Sequence, residues 1–413
     1  MRLLRPFAAL RPAPGRAAEV AAPPYDVVNR AEAADRAAGR PWSFLHVSRA
    51  EIDLPADTDP YAPAVYDQAA AAFARMRAEG VLREDDRPAY YVYRLISPFG
   101  TQTGIVAAAS VAAYETGDIR KHEHTRPGKE DDRVRHMEAL DAQTGPVMLA
   151  HRPDAAVADA IAAVAAATPE VDITADDGVR HMLWPVVEAD GIARFEAAIG
   201  GLGRLYIADG HHRSAAAARV AAARRSPDPA EAAGQACNWF LAVVFAADEM
   251  CILDYNRVVR DLNGLDAAAF LARLADGFEV VEADASVRPG KSGEFGMYMD
   301  GGWRRLTARP ERIPADDPVK RLDVSLLGDL LIEPVLGISD PRNDPRIDFV
   351  GGARGLEGLE SRVDSGEMAV AFSLYPTPMA DLMAVADAGE VMPPKSTWFE
   401  PKLADGLVIH LID

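Results

Sequence analysis

From about residue 146 the chain alternates between apolar runs of strand length and helix-patterned segments, and this alternation constrains the fold more than any other feature. Val147-Met-Leu-Ala-His reads as a strand, 154–167 as an alanine-rich helix, His181-Met-Leu-Trp-Pro-Val-Val as a strand and 191–200 as a short helix. Arg204-Leu-Tyr-Ile-Ala is then a strand and 211–225 a helix. Strands and helices in alternation pack as layers, helices against a sheet. Ala215, Ala218 and Ala222 would let helix 211–225 approach that sheet closely, and Asn238-Trp-Phe-Leu-Ala-Val-Val-Phe suits a strand buried on both faces.

The flanking regions read differently. Up to about residue 60 prolines and aromatic residues interrupt any period, which predicts ordered loops around short strands. Val65, Ala69, Phe73 and Met76, with Gly80 as a stop, predict a helix over about 62–80. Tyr90-Tyr-Val-Tyr-Arg-Leu-Ile and Gly104-Ile-Val-Ala-Ala-Ala-Ser-Val flank Ser97-Pro-Phe-Gly as a hairpin-like pair. Beyond about 260 the pattern predicts helices at 265–275, 323–333 and 379–387, a hairpin turning at Asp300-Gly-Gly, and strands near 369–374 and at the C-terminus. The expected fold is mixed, α/β to α+β. It divides into an N-terminal α+β region (1–145), an α/β core (146–260) and a C-terminal α+β region (261–413).

With 44 Lys and Arg against 63 Asp and Glu the net charge is −19, which argues against nucleic acid as the main partner because phosphate binding needs basic patches. Cys237 and Cys251 form no CxxC or CxH spacing, so a disulfide scaffold or thiolate zinc site is not expected and a reducing compartment is favoured. No apolar run approaches the ~18 residues of a membrane span, and the N-terminus is a poor signal peptide. The expectation is a cytoplasmic protein with no membrane partner. Only six lysines occur, Arg supplying the other positive charges. Where Lys remains, a compact ammonium is the informative choice.

The sharpest local feature is Asp209-Gly210-His211-His212-Arg213, between a predicted strand and a predicted helix. A glycine there admits close backbone approach, and the N–H groups of a first helical turn are unpaired and bind anions. Arg213 can clamp a phosphate bidentately. Asp209 either caps the helix or takes part in chemistry. A second constellation, residues 120–133, reads as a loop with no apolar residue and carries His122, Glu123, His124 and Lys129. In an extended strand His122 and His124 would share one side and Glu123 the other. A third, Met392-Pro-Pro-Lys-Ser-Thr-Trp-Phe-Glu-Pro-Lys, offers Lys395, Ser396 and Thr397 as phosphate donors and Trp398 or Phe399 as a stacking surface. Tyr25 and Asp26 follow Pro23-Pro24 and can bind a polar ligand. Four of nine histidines lie in the first two segments, so zinc or manganese is the main chemical rival. The spacings lack helical His-Glu-x-x-His geometry.

Ala-Pro-Pro-Tyr-Asp-Val (22–27), Lys-His-Glu-His-Thr (121–125), Lys-Glu-Asp (129–131), Ile-Ala-Asp-Gly-His-His-Arg (207–213), Asn-Arg-Val-Val (256–259) and Pro-Lys-Ser-Thr-Trp-Phe-Glu-Pro-Lys (394–402) occur in this order. Together they resemble the prokaryotic family catalogued as domain of unknown function 1015, from about residue 5 to the C-terminus. Trp398 and Glu400 stand where aromatic residues such as Tyr are common in that family. The Asp-Gly-His-His-Arg turn also resembles the phosphate-binding motif of the ParB/sulfiredoxin-like fold, a group that includes kinases of free serine. The resemblance implies a ParB/sulfiredoxin-like α/β core and a nucleotide-dependent kinase acting on a free amino acid such as L-serine, with Mg²⁺ and ATP or ADP. Gly210, His211, His212 and Arg213 would cradle the phosphates, assisted by His122, His124, Lys129, Lys395, Ser396 and Thr397. Glu123 or Asp209 would accept the hydroxyl proton. Tyr25 and Asp26 would receive the amino group of the substrate. A metal-dependent phosphohydrolase, a regulatory nucleotide-binding module and a ParB-like DNA-binding protein are the alternatives. A shared site requires segments 121–131 and 207–213 to meet; a gap of more than about 15 Å would exclude it.

Overall fold

A computed structural model describes residues 2–412. The chain forms two units, Met1–Met250 with Pro401–Asp413, and Cys251–Glu400, the second inserted in the sequence of the first.

The first unit is built on a nine-stranded sheet. Its strands are β1 (Leu4–Arg5), β2 (Tyr90–Ser97), β3 (Gly100–Ser110), β4 (Ile119–Arg120), β5 (Val147–His151), β6 (Val171–Thr174), β7 (Arg180–Val186), β8 (Leu205–Asp209) and β9 (Trp239–Ala246). They lie in the order β4-β8-β5-β9-β3-β2-β7-β6, with β1 also paired to β3. The β4/β8 and β5/β9 pairs are parallel and the others antiparallel, a mixed sheet as the alternating pattern requires. β9 is buried from Phe240 to Phe245, in keeping with its continuous apolar run. The boundary expected at 145/146 runs through this sheet, because β3 on one side pairs with β9 on the other.

Six helices of this unit matter here: α1 (Arg30–Ala37), α2 (Pro63–Ala78), α3 (Pro127–Leu140), α4 (Ala155–Ala165), α5 (Ala189–Gly200) and α6 (His211–Arg224). α6 buries Ala215, Ala216, Ala217, Val220 and Ala221 and packs Ala218 against the core, so Ala215 and Ala218 lie on the packing face as expected, while Ala222 is exposed. α1 replaces the expected loop; Asn29 accepts from the N–H of Glu32, whose carboxylate accepts from the N–H of Asn29, a reciprocal cap. α3 converts half of the expected loop 120–133 into helix. Pro127 presets its first turn, and Met137 and Leu140 are buried on the side that the charged residues mask in sequence.

The second unit holds a six-stranded antiparallel sheet of β10 (Tyr255–Val259), β11 (Phe278–Ala283), β12 (Glu294–Met299), β13 (Gly302–Ala308), β14 (Ile347–Gly351) and β15 (Val370–Leu374), in the order β11-β13-β12-β15-β10-β14. The β12–β13 hairpin turns at Asp300 and Gly301, both left-handed (φ 51° and 74°), as an Asp-Gly turn requires. Val258, Trp303, Leu359 and Ala371 form part of its core. A short ribbon pairs Cys251–Leu253 with Trp398–Glu400. The C-terminal strand is limited to His410–Leu411, paired with Ala142–Gln143. Among the described residues no helix is long and apolar enough to cross a membrane.

Candidate functional site

The β8–α6 junction is shaped by its backbone. The pairing of β8 with β5 shifts register between Ile207 and Asp209, a bulge that re-aims the side chains after it. Gly210 then adopts φ 99°, ψ 28°, and a Cβ there would sit 3.1 Å from Nε of Arg213. No side chain caps α6, so its first N–H groups keep their capacity to meet an anion. Asp209 is therefore not a cap. Its Oδ2 accepts from Lys402 Nζ at 3.0 Å, and its Oδ1 lies 3.9 Å from the Arg213 guanidinium. Burial alone would raise its pKa, but Lys402 and Arg213 hold the carboxyl well below the usual range, so it stays ionised.

The Lys-His-Glu-His-Thr segment meets this turn directly. The N–H of His122 donates to His211 Nε2 at 3.5 Å, and the two rings stand edge to face with centroids 4.4 Å apart. An accepting Nε2 leaves the ring proton of His211 on Nδ1, 3.6 Å from Glu123 Oε2. The N–H of Arg126 donates to His212 Nε2 at 3.1 Å. His122 is buried, and burial pushes its pKa down to about 4; burial and the adjacent His122 lower that of His211 as well. Both rings are thus neutral at pH 7. His124 is exposed and takes no part in this cluster, contrary to the strand alternation expected. The reason is that β4 ends at Arg120 and the period of two ends with it.

Tyr25 and Asp26 approach from the N-terminal segment. Arg133 of α3 lies over the Tyr25 ring at 3.9 Å, and Arg49 donates to the Tyr25 carbonyl at 2.8 Å. Asp405 is 2% exposed, its main chain bridges Ala22, and it faces Arg213, Arg133 and Asp26. Burial raises its pKa to about 7 against the pull of Arg213. Its Oδ1 has no hydrogen-bond partner among the described residues and lies against Gly145, where a Cβ would come within 2.8 Å of it. Tyr25 and Asp26 also line a cavity of about 230 Å³. Its wall includes three carboxylates (Asp26, Glu51, Asp132) and three cations (Arg49, Lys129, Arg133). Lys129 Nζ donates to the hydroxyl of Tyr61 at 3.3 Å, and Tyr66 donates to Asp132 at 3.0 Å.

Lys395, Ser396 and Thr397 belong to the second unit. Ser396 is buried, and its hydroxyl donates to the carbonyl of Pro393 at 2.6 Å, so it serves the turn of its own loop. Lys402, Asp405 and Arg133 were not singled out as site residues by sequence. Lys402 belongs to the Pro-Lys-Ser-Thr motif and is one of the scarce lysines, and Arg133 closes the charged segment 120–133, which are their only signals; Asp405 gives none. Among the described residues no group of three or more His, Cys, Asp or Glu is arranged to hold a metal ion. The Nε2 atoms of His211 and His212 already accept hydrogen bonds from main-chain N–H groups, which removes two of the donors a metal site would need.

The family described as protein of unknown function (DUF1015) matches residues 4–325. The chain belongs to that family. The match of this DUF1015 member spans the Tyr25, Lys-His-Glu-His-Thr and Asp-Gly-His-His-Arg segments and ends before 394–402. No curated protein matches the chain. Among solved structures it is similar to a conserved hypothetical protein from Pyrococcus furiosus, with 16% identity, 74% of this chain and 95% of that chain covered and a TM-score of 0.35. It is similar to a free serine kinase in complex with AMP, with 14% identity, coverages of 71% and 86% and a TM-score of 0.34. A C-terminally truncated SbnI from Staphylococcus aureus gives 12%, 74%, 87% and 0.38.

Proposed function

We propose that this DUF1015 protein is a nucleotide-dependent kinase that phosphorylates the hydroxyl of a free amino acid such as L-serine. The observation that carries this reading is the packing of residues 122–126 on the uncapped start of α6, beside the Asp209–Lys402 and Asp209–Arg213 pairs. Phosphoryl transfer needs positioning and positive charge around the developing phosphate charge more than covalent chemistry. Gly210, the first N–H groups of α6, His212, Arg213 and Lys402 would hold the nucleotide phosphates. The cavity of about 230 Å³ at Tyr25 and Asp26 would take the acceptor. It is smaller than the roughly 300–1,000 Å³ of drug-sized ligand pockets, and its balanced charges suit a small zwitterion.

In the step itself the acceptor hydroxyl oxygen bonds to the terminal phosphorus, the phosphorus–oxygen bond to the nucleotide breaks, and the hydroxyl proton passes to a carboxylate. Glu123 suits that role better than Asp209, because Lys402 and Arg213 hold Asp209 ionised and make it a weak base. An Mg²⁺ carried in with the nucleotide needs only one or two carboxylates, and the ionised Asp209 fits that requirement. When bound, the ion would neutralise phosphate charge. Purified protein with L-serine, Mg²⁺ and ATP or ADP should form O-phosphoserine, read by ³¹P NMR. Absence of product with every small hydroxylated amino acid overturns the reading.

A further inference from the structure

In the second unit Arg257 and Lys395 stand together, and among the described residues neither is paired with a carboxylate. Arg257 sits in the middle of β10, on the same face as Tyr255 and opposite the core residue Val258. It is 5% exposed. Among the described residues its guanidinium donates only to main-chain carbonyls, those of Tyr255, Lys395 (3.0 Å) and Pro394 (3.5 Å). Part of its donor fork is left unused. The ring of Phe349 stands 5.1 Å from it.

Neighbouring carboxylates are committed elsewhere. Asp254 accepts from Asn256 at 2.6 Å and from Arg288 at 3.3 Å, Asp348 pairs with Arg362 at 2.6 Å, and Glu400 accepts from the Trp398 indole at 2.8 Å. Buried guanidinium groups are ordinarily paired. Here burial instead pushes the Arg257 pKa down to about 10.

Lys395 stands beside it, exposed and without an ion pair among the described residues. Its backbone is left-handed at φ 59°, a conformation that costs a non-glycine residue energy and collects at ligand-binding segments. Its ammonium lies 5.5 Å from the ring centroid of Tyr255, the residue to whose carbonyl Arg257 donates. Trp398 meets that ring edge-on at 5.3 Å. Two like charges are therefore held about one aromatic residue, with no carboxylate paired to either among the described residues.

We propose that Arg257 and Lys395 form a phosphoryl-anion site in the second unit, with Tyr255 and Trp398 as its aromatic wall. A guanidinium fork and an ammonium together match a tetrahedral dianion. The anion is either free phosphate or the phosphate of a nucleotide, and the aromatic wall would favour the nucleotide. The site stands apart from the kinase reading, since no turnover is needed to detect it.

Isothermal titration of the full chain with inorganic phosphate and, separately, with ADP tests it. The Arg213→Lys variant, which disables the turn of the first unit, should still bind at least one probe. Lys395→Gln in that background should weaken binding by at least about tenfold. Lys395→Arg should retain most of it, and Arg257→Lys, which keeps the charge but loses the fork, should weaken it. ADP binding much tighter than phosphate identifies a nucleotide site; equal affinities identify a site for the phosphoryl group alone. Failure of the Arg213→Lys protein to bind either probe, or an affinity that Lys395→Gln leaves unchanged, overturns the proposal.

Discussion

Lys402 reaches Asp209 at 3.0 Å with both side chains partly open to solvent. Such a pair adds little to folding, so its value lies in presenting an ammonium beside the start of α6. Lys402→Met should leave the far-ultraviolet circular dichroism unchanged and lower kcat/KM for phosphoryl transfer by about 10²–10³-fold, the size of one lost charge-stabilising donor. Equal activity would remove Lys402 from the site. In the second unit, burial raises the Asp323 carboxyl to about 7, reinforced by Asp381 and Glu294 and opposed by the N–H of Gly293. A carboxyl whose folded pKa lies above its unfolded value binds more protons when folded. Its contribution to stability is thus complete below about pH 4 and is lost as the pH rises through about 7. The Tm of Asp323→Asn relative to wild type should therefore climb between pH 5 and pH 8, measured by scanning calorimetry; a constant difference would contradict this. The buried histidines, neutral when folded, impose the opposite slope on both proteins and cancel in the comparison.

The start of α6 depends on one backbone conformation. Gly210→Ala places a Cβ at positive φ and within 3.1 Å of Arg213, so it should cost about 1–2 kcal/mol in urea unfolding and weaken nucleotide binding together. Loss of stability without loss of binding would detach the turn from function. Asn29→Ala removes the cap of α1, far along the chain from that turn, and should cost about 1 kcal/mol with binding unchanged. Elements with a clear period were legible in sequence: α2, the β2–β3 pair, β5, β8, β9 and the hairpin at Asp300. α3 is not, because its charged residues hide Met137 and Leu140, and α1, only eight residues long, shows no apolar period although Asn29 and Glu32 spell its capping box. In the site, scarce residue types made the Asp-Gly-His-His-Arg and Lys-His-Glu-His-Thr segments visible. The link from Lys402 to Asp209 spans 193 residues, and nothing in local pattern reports a contact of that kind.

At the scale of the molecule, a net charge of −19 coexists with Arg213 and Lys402 where α6 begins and with three cations balanced by three carboxylates around the Tyr25–Asp26 cavity. A long polyanion meets the whole acidic surface, whereas a nucleotide meets only the local cations. Duplex DNA should therefore show no retention at about 0.15 M salt, while nucleotide binds and weakens as salt increases. Tight DNA binding under those conditions would count against the account. The central claim is that one site joins a nucleotide phosphate to a small hydroxyl acceptor. It is tested most directly by ³¹P NMR of the full chain with L-serine, Mg²⁺ and ATP or ADP, in parallel with Arg213→Lys. An O-phosphoserine resonance should grow with wild type and be nearly absent with the variant. A wild-type spectrum without any phosphomonoester, or equal product from both proteins, would contradict it.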